Sequence, residues 1–106
     1  MRKKATSKMP YVICRSNMGV HAGELNVKES TDAKKVLHNV RRLWRWYSPG
    51  ISLSEVAIEG PVKHSECKFS APVSREELTS PTNGFELIFV TEAARKVIES
   101  VPACRS

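Results

Sequence analysis

The chain has 106 residues, of which 41% are hydrophobic and 26% charged, with a formal net charge of +6; this mix fits one ordinary globular domain and excludes a low-complexity chain. No apolar run is long enough to span a bilayer, and the basic start Met1-Arg-Lys-Lys is followed by a polar stretch from Ala5 to Met9 rather than a signal-peptide core, so a soluble protein without membrane association is expected. Cys14, Cys67 and Cys104 are odd in number and far apart, which excludes a disulfide framework and indicates a reducing cytoplasm.

Residues 1–9 read as a basic, flexible tail, since Arg2, Lys3, Lys4 and Lys8 place four cations there, and residues 10–106 as a single globular domain. Tyr11-Val12-Ile13-Cys14 is a continuous run of strand formers, expected as a central strand buried on both faces. Ser16-Asn17-Met18-Gly19 and Gly23 mark a turn, and Glu24-Leu25-Asn26-Val27-Lys28 alternates as a half-buried strand that completes a hairpin.

The next stretch supports two readings. Val36, Val40, Leu43, Trp44 and Tyr47 recur at helical spacing behind Ser30, Thr31 and Asp32, while Val36-Leu37 and Leu43 to Tyr47 also suit two short strands with Asn39 at the bend. As a strand, Arg42, Trp44 and Trp46 share one face, and Arg41, Leu43, Arg45 and Tyr47 the other. Ser48-Pro49-Gly50 ends the segment. Ser52-Leu-Ser-Glu55 is a capping box opening a short helix, about 53–59, that turns Leu53, Val56 and Ala57 inward and stops at Gly60-Pro61. Cys67 to Ser70 and Phe85 to Val90 read as strands separated by a loop containing Pro72, Pro81, Asn83 and Gly84. Thr91 caps a last helix, about 92–101, with Ala94, Val97, Ile98 and Val101 on one face. The expected fold is α+β: a small, mainly antiparallel sheet or partly open barrel with two short helices.

From Ala33 to Ser54 there is no acidic residue, while Lys34, Lys35, Arg41, Arg42 and Arg45 fall there. Arginine offers phosphate a planar fork of donors and an indole stacks on a base, so this segment points to an anionic partner. Its bland alternative is a core of Leu43, Trp44 and Tyr47 beneath a solvated charged face. In Val20-His21-Ala22-Gly23 the histidine lies at the mouth of a tight turn, able to donate to an anion, with Arg15 as its nearest cationic companion; the alternative is a histidine bonded within its own loop. His64-Ser-Glu-Cys67 has a two-residue gap, and Cys14 and His21 are further candidate ligands, but no Cys-x-x-Cys occurs and no metal site or other cofactor is expected. Cys14 lies in an apolar strand where burial raises a thiol pKa, and no phosphate loop, nucleophile elbow or paired-acid motif is present, so no enzymatic activity is expected.

The blocks Tyr11-Val-Ile-Cys-Arg-Ser, Gly19-Val-His-Ala-Gly-Glu-Leu25, Arg41-Arg-Leu-Trp-Arg-Trp46, Ser52-Leu-Ser-Glu-Val-Ala-Ile-Glu-Gly60, Cys67-Lys-Phe-Ser70 and Val90-Thr-Glu-Ala-Ala94, taken in order, resemble a family of small uncharacterised phage and prophage proteins. The resemblance spans roughly residues 10–101; the basic N-terminal extension and Ser80-Pro-Thr-Asn-Gly84 depart from it. It implies a mostly β protein of a mobile element, with strands rather than helix over 35–47, in the host cytoplasm if phage-encoded, and it brings no activity.

The expected function is that of an anti-defence accessory protein that sequesters a nucleotide-like anion, such as a signal of host immunity, without catalysis. Arg15, Arg42 and Arg45 would hold phosphate, Trp44 or Trp46 would stack on the base and His21 would donate from the turn. The alternatives are a nucleic-acid-binding protein using the basic tail and the arginines, or an inhibitor capping a host defence protein through Trp46 and Tyr47. Association into a homo-oligomer is expected because so small a domain buries only a modest core.

Overall fold

The computed structural model describes residues 9–47, 53–63, 66–80, 82 and 84–103. In chain order these form β1 (Tyr11–Ser16), β2 (Gly19–Leu25), β3 (Lys34–Arg45), α1 (Leu53–Glu59), β4 (Lys68–Phe69), β5 (Val73–Thr79), β6 (Glu86–Phe89) and α2 (Glu92–Ser100). The strands make one open, antiparallel sheet in the order β4-β3-β2-β1-β6. The far edge of β3 is shared, because β5 pairs with Lys34 to Val40 and β4 with Leu43 to Arg45. The fold is thus the expected α+β architecture with two short helices.

β1 is central, and both its faces are covered, which is why its first four residues are apolar without alternation. Tyr11 and Ile13 face the helices, packing with Leu43, Phe69, Val56, Ala57 and Ile98. Val12 and Cys14 face a second core with Leu25, Leu37, Val40 and Leu78. This second core is closed by the sheet itself. The end of β5 returns over it, so that the N–H of Thr79 donates to Met18 Sδ at 3.3 Å in the β1–β2 turn.

The ambiguous segment is a strand, twelve residues long. Two irregularities break its alternation. Between the pairs Glu24↔His38 and Ala22↔Arg41, β3 spends three steps against two on β2, so one residue is extra; Asn39, at φ 49°, lies at this bulge, the bend read from the sequence. A second shift separates Leu43↔Phe69 from Arg45↔Lys68.

Two expectations need correction. β2 is not Glu24 to Lys28 but Gly19–Leu25, so His21 and Gly23 lie within a strand and not in a turn. Gly23 reflects close packing rather than a turn, since a Cβ there would meet His38 O and Val40 Cα at 3.0 Å. The stretch read as a loop between Ser70 and Phe85 contains β5, whose sequence Val-Ser-Arg-Glu-Glu-Leu-Thr buries only Leu78. A strand on the sheet edge has solvent on most sides, so its charges hide its periodicity.

The helices follow the reading closely. Leu53, Val56 and Ala57 are buried in α1, though Ser52 of the capping box lies outside the described residues. Thr91 caps α2 by accepting from Ala94 N–H at 3.0 Å. Its hydroxyl also donates to Ile58 O at 2.8 Å, tying the two helices together.

Candidate functional site

The second bulge in β3 decides which side chains of the arginine–tryptophan segment reach solvent. Unbroken alternation would put Trp44 and Trp46 on one face and Arg45 on the other. The extra residue at the bulge instead leaves Trp44 and Arg45 both exposed, while Leu43 is buried. The chain leaves the sheet after Arg45, and Trp46 and Tyr47 turn back to pack on the helix-side core.

Trp44 is 53% exposed, unusual for an indole. The Arg42 guanidinium lies 5.8 Å from its ring centre, and it passes over Gly19, where a Cβ would fall 2.8 Å from Nη2. With φ at 113°, Gly19 also holds a conformation that other residues avoid. Farther along the strand the Arg45 guanidinium lies 5.7 Å and the Lys63 ammonium 5.5 Å from the ring centre of Tyr47. Lys68 is opposite Arg45 in the β3–β4 register. The ion pairs among the described residues engage Arg15, His21, Arg75 and Arg95 with carboxylates, but not Arg42, Arg45, Lys63 or Lys68. This end of β3 therefore presents uncompensated cations beside an exposed aromatic face, the combination that attracts a phosphate-bearing, base-bearing ligand.

The other residues singled out in the sequence do not join this surface. Arg15 pairs with Val20 in the register, one step from Cys14↔His21, so it projects to the opposite face, where its Nε lies 3.7 Å from Glu86 Oε1. His21 does lie opposite Arg42, yet it is only 4% exposed. Its Nε2 is 3.6 Å from Glu76 Oε1, and its Nδ1 has no hydrogen-bond partner. Burial lowers its pKa, Glu76 opposes this, and Arg42 lowers it further, so at neutral pH His21 is an uncharged floor beneath Arg42 rather than a cation. Trp46 is partly buried.

Arg41 lies, as the strand reading has it, on the face of Leu43 and not on that of Arg42. It sits beside Arg42 in the chain but faces the helices, 3% exposed, with its guanidinium 5.3 Å from the Phe69 ring centre. Nε donates to Ser70 O at 2.7 Å and Nη1 to Ile98 O at 2.8 Å, so it caps the carboxyl end of α2, whose own last turn carries no basic residue. The strand reading of the sequence already set Arg41 and Arg42 on opposite faces; the carbonyl partners that hold Arg41, on Ser70 and Ile98, were not visible there.

Among the described residues, no three His, Cys, Asp or Glu side chains gather as a metal site; His64 and Cys104 lie outside them. The thiol of Cys14 is pushed up to about 11, chiefly by burial, so it is not a nucleophile at neutral pH. No helix of the described residues is long and apolar enough to cross a membrane.

No curated protein and no solved structure matches the chain. A family model described as a domain of unknown function (DUF6948) covers residues 9–98, from just before β1 into the last turns of α2, and the protein belongs to that family.

Proposed function

We propose that the protein is a non-catalytic binding protein for a nucleotide-bearing anion, with Trp44 as the stacking platform and Arg42 and Arg45, with Lys63 and Lys68, as the phosphate contacts. It would act as a phage-type accessory protein, countering host defence by occupying its ligand. The observation that carries this reading is the 53% exposed indole with a guanidinium 5.8 Å from its ring centre, beside cations that no carboxylate among the described residues pairs with. An exposed indole beside unpaired cations is a platform on which a base can stack while its phosphate is held.

A small nucleotide signal would need enclosure, and within one chain neither Arg15 nor Trp46 supplies the missing wall. An extended strand of single-stranded nucleic acid needs none, and the openness of the Arg42–Trp44 surface favours it. Fluorescence anisotropy with a labelled single-stranded oligonucleotide, beside calorimetry with cyclic and linear nucleotides, separates the two ligands. Trp44→Ala should weaken oligonucleotide binding about 5- to 150-fold, since a stacked base contributes roughly 1–3 kcal/mol. Micromolar binding of neither ligand class by the unaltered protein would remove the reading.

A further inference from the structure

On the helix side of the sheet, across from the Arg42–Trp44 surface, Tyr11, Asn39, Arg41, Pro72 and Glu99 line a cavity of about 240 Å³. Two features of its walls are unusual. Arg41 is a buried cation with no carboxylate within ion-pair distance among the described residues, whereas buried charges are ordinarily paired. The carbonyls of Ser70 and Ile98 occupy Nε and Nη1, and no hydrogen bond among the described residues engages Nη2, so part of the planar donor fork remains unused. The second feature is Tyr11, 6% exposed, whose hydroxyl is buried and makes no hydrogen bond. Unsatisfied buried hydroxyls are uncommon because each costs about 1–3 kcal/mol.

Glu99, the one acid among the described residues of the wall, is held by Arg95, whose Nε lies 2.9 Å from its carboxylate and which also binds Glu24. Glu99 is thus engaged by Arg95, whereas no carboxylate among the described residues contacts Arg41. We propose that this cavity is a binding site for a small oxyanion, a carboxylate or a phosphate group, received by Nη2 of Arg41 and the hydroxyl of Tyr11. The Tyr11 hydroxyl is fit to donate, because burial above all pushes its pKa up to about 12 and keeps its proton. The ligand would complete both the charge of the guanidinium and the hydrogen bonding of the phenol. The site shares no side chain with the Arg42–Trp44 surface and stands or falls separately from it.

The test is a titration of the ¹⁵N-labelled full chain with inorganic phosphate and, in parallel, with acetate, following backbone amides. Saturable shifts centred on Tyr11, Arg41 and Glu99 are expected with at least one anion. Saturation by phosphate alone marks a phosphoryl ligand, by acetate alone a carboxylate. Arg41→Lys should abolish the shifts, but it also removes the α2 cap and so risks the fold. Tyr11→Phe is the safer variant, since it keeps the ring and breaks no existing hydrogen bond; it should weaken binding several-fold with an otherwise unchanged spectrum. The proposal is overturned if neither anion gives saturable shifts by about 50 mM, where even a weak complex with Kd near 10 mM is mostly formed. It is equally overturned if the shifts centre on Arg42 and Trp44, or if Tyr11→Phe binds as tightly as the original chain.

Discussion

Folding moves the His21 imidazole from water to a site 4% exposed, so the folded chain binds its proton less readily than the unfolded chain does. Burial dominates this lowering and Arg42 adds to it, while Glu76 works against it. The folded pKa therefore lies below the ordinary 6.5, and the unfolded state is the first to be protonated as pH falls. The contribution of His21 is fully present above that ordinary value and is lost as pH falls from it toward the folded pKa. Thermal melts of the protein and of His21→Gln, run from about pH 8 to pH 5 across the ordinary histidine range, should show the gap between them narrowing or reversing on the acid side. Parallel melting curves would mean that His21 titrates alike in both states. The same burial makes His21 a poor ligand donor, so an exposed Arg42 and a neutral His21 divide the work of charge and support between two register partners.

At the scale of elements, β3 decides both the fold and the site. Its bend depends on Asn39 at φ 49°, whose side chain donates to Glu24 Oε1 at 3.3 Å. Asparagine tolerates this left-handed backbone and a β-branched residue does not. Asn39→Val should therefore destabilise the protein by about 1–2 kcal/mol, whereas Asn39→Gly should be nearly neutral, as denaturant midpoints will report. Equal loss from both would place the value of Asn39 in its bond to Glu24 rather than in its backbone.

The sequence carried those features that depend on local chemistry: the two-sided burial of Tyr11 to Cys14, the inward face of α1 and the threonine cap of α2 were all legible. Features set by partners distant in the chain were not. β5 hid because its charges belong to an edge, and the fates of Trp44 and Trp46 hid because a bulge is written in the pairing of two strands and not in one of them. The site was legible as a segment but not as a surface. Arg42, Trp44 and Arg45 are on it, Arg15 and Trp46 are not, and Arg41 was invisible as a buried cap because its partners, Ser70 and Ile98, lie 29 and 57 residues away.

For the molecule as a whole, the question is how far the charge of +6 acts through the sheet and how far through the N-terminus. Arg2, Lys3, Lys4 and Lys8 are four of 17 cations set against 11 acids, so their removal leaves 13 against 11, a charge of +2. They precede both the described fold and the span 9–98 matched by the family. Binding to single-stranded nucleic acid weakens with salt by a log–log slope of about 0.7 per phosphate neutralised. Deleting residues 2–8 should thus lower that slope by about 0.7 for each tail cation that engages a phosphate. It should leave the fold-loss caused by Trp44→Ala unchanged, because stacking is local to β3 and additive with distant contacts. Anisotropy titrations of the four proteins, intact and shortened, with and without Trp44→Ala, between about 50 and 200 mM salt supply both quantities. A slope that does not move shows that the tail takes no part. A Trp44→Ala effect that disappears in the shortened chain shows instead that the tail binds the strand and that the β3 surface is secondary to it.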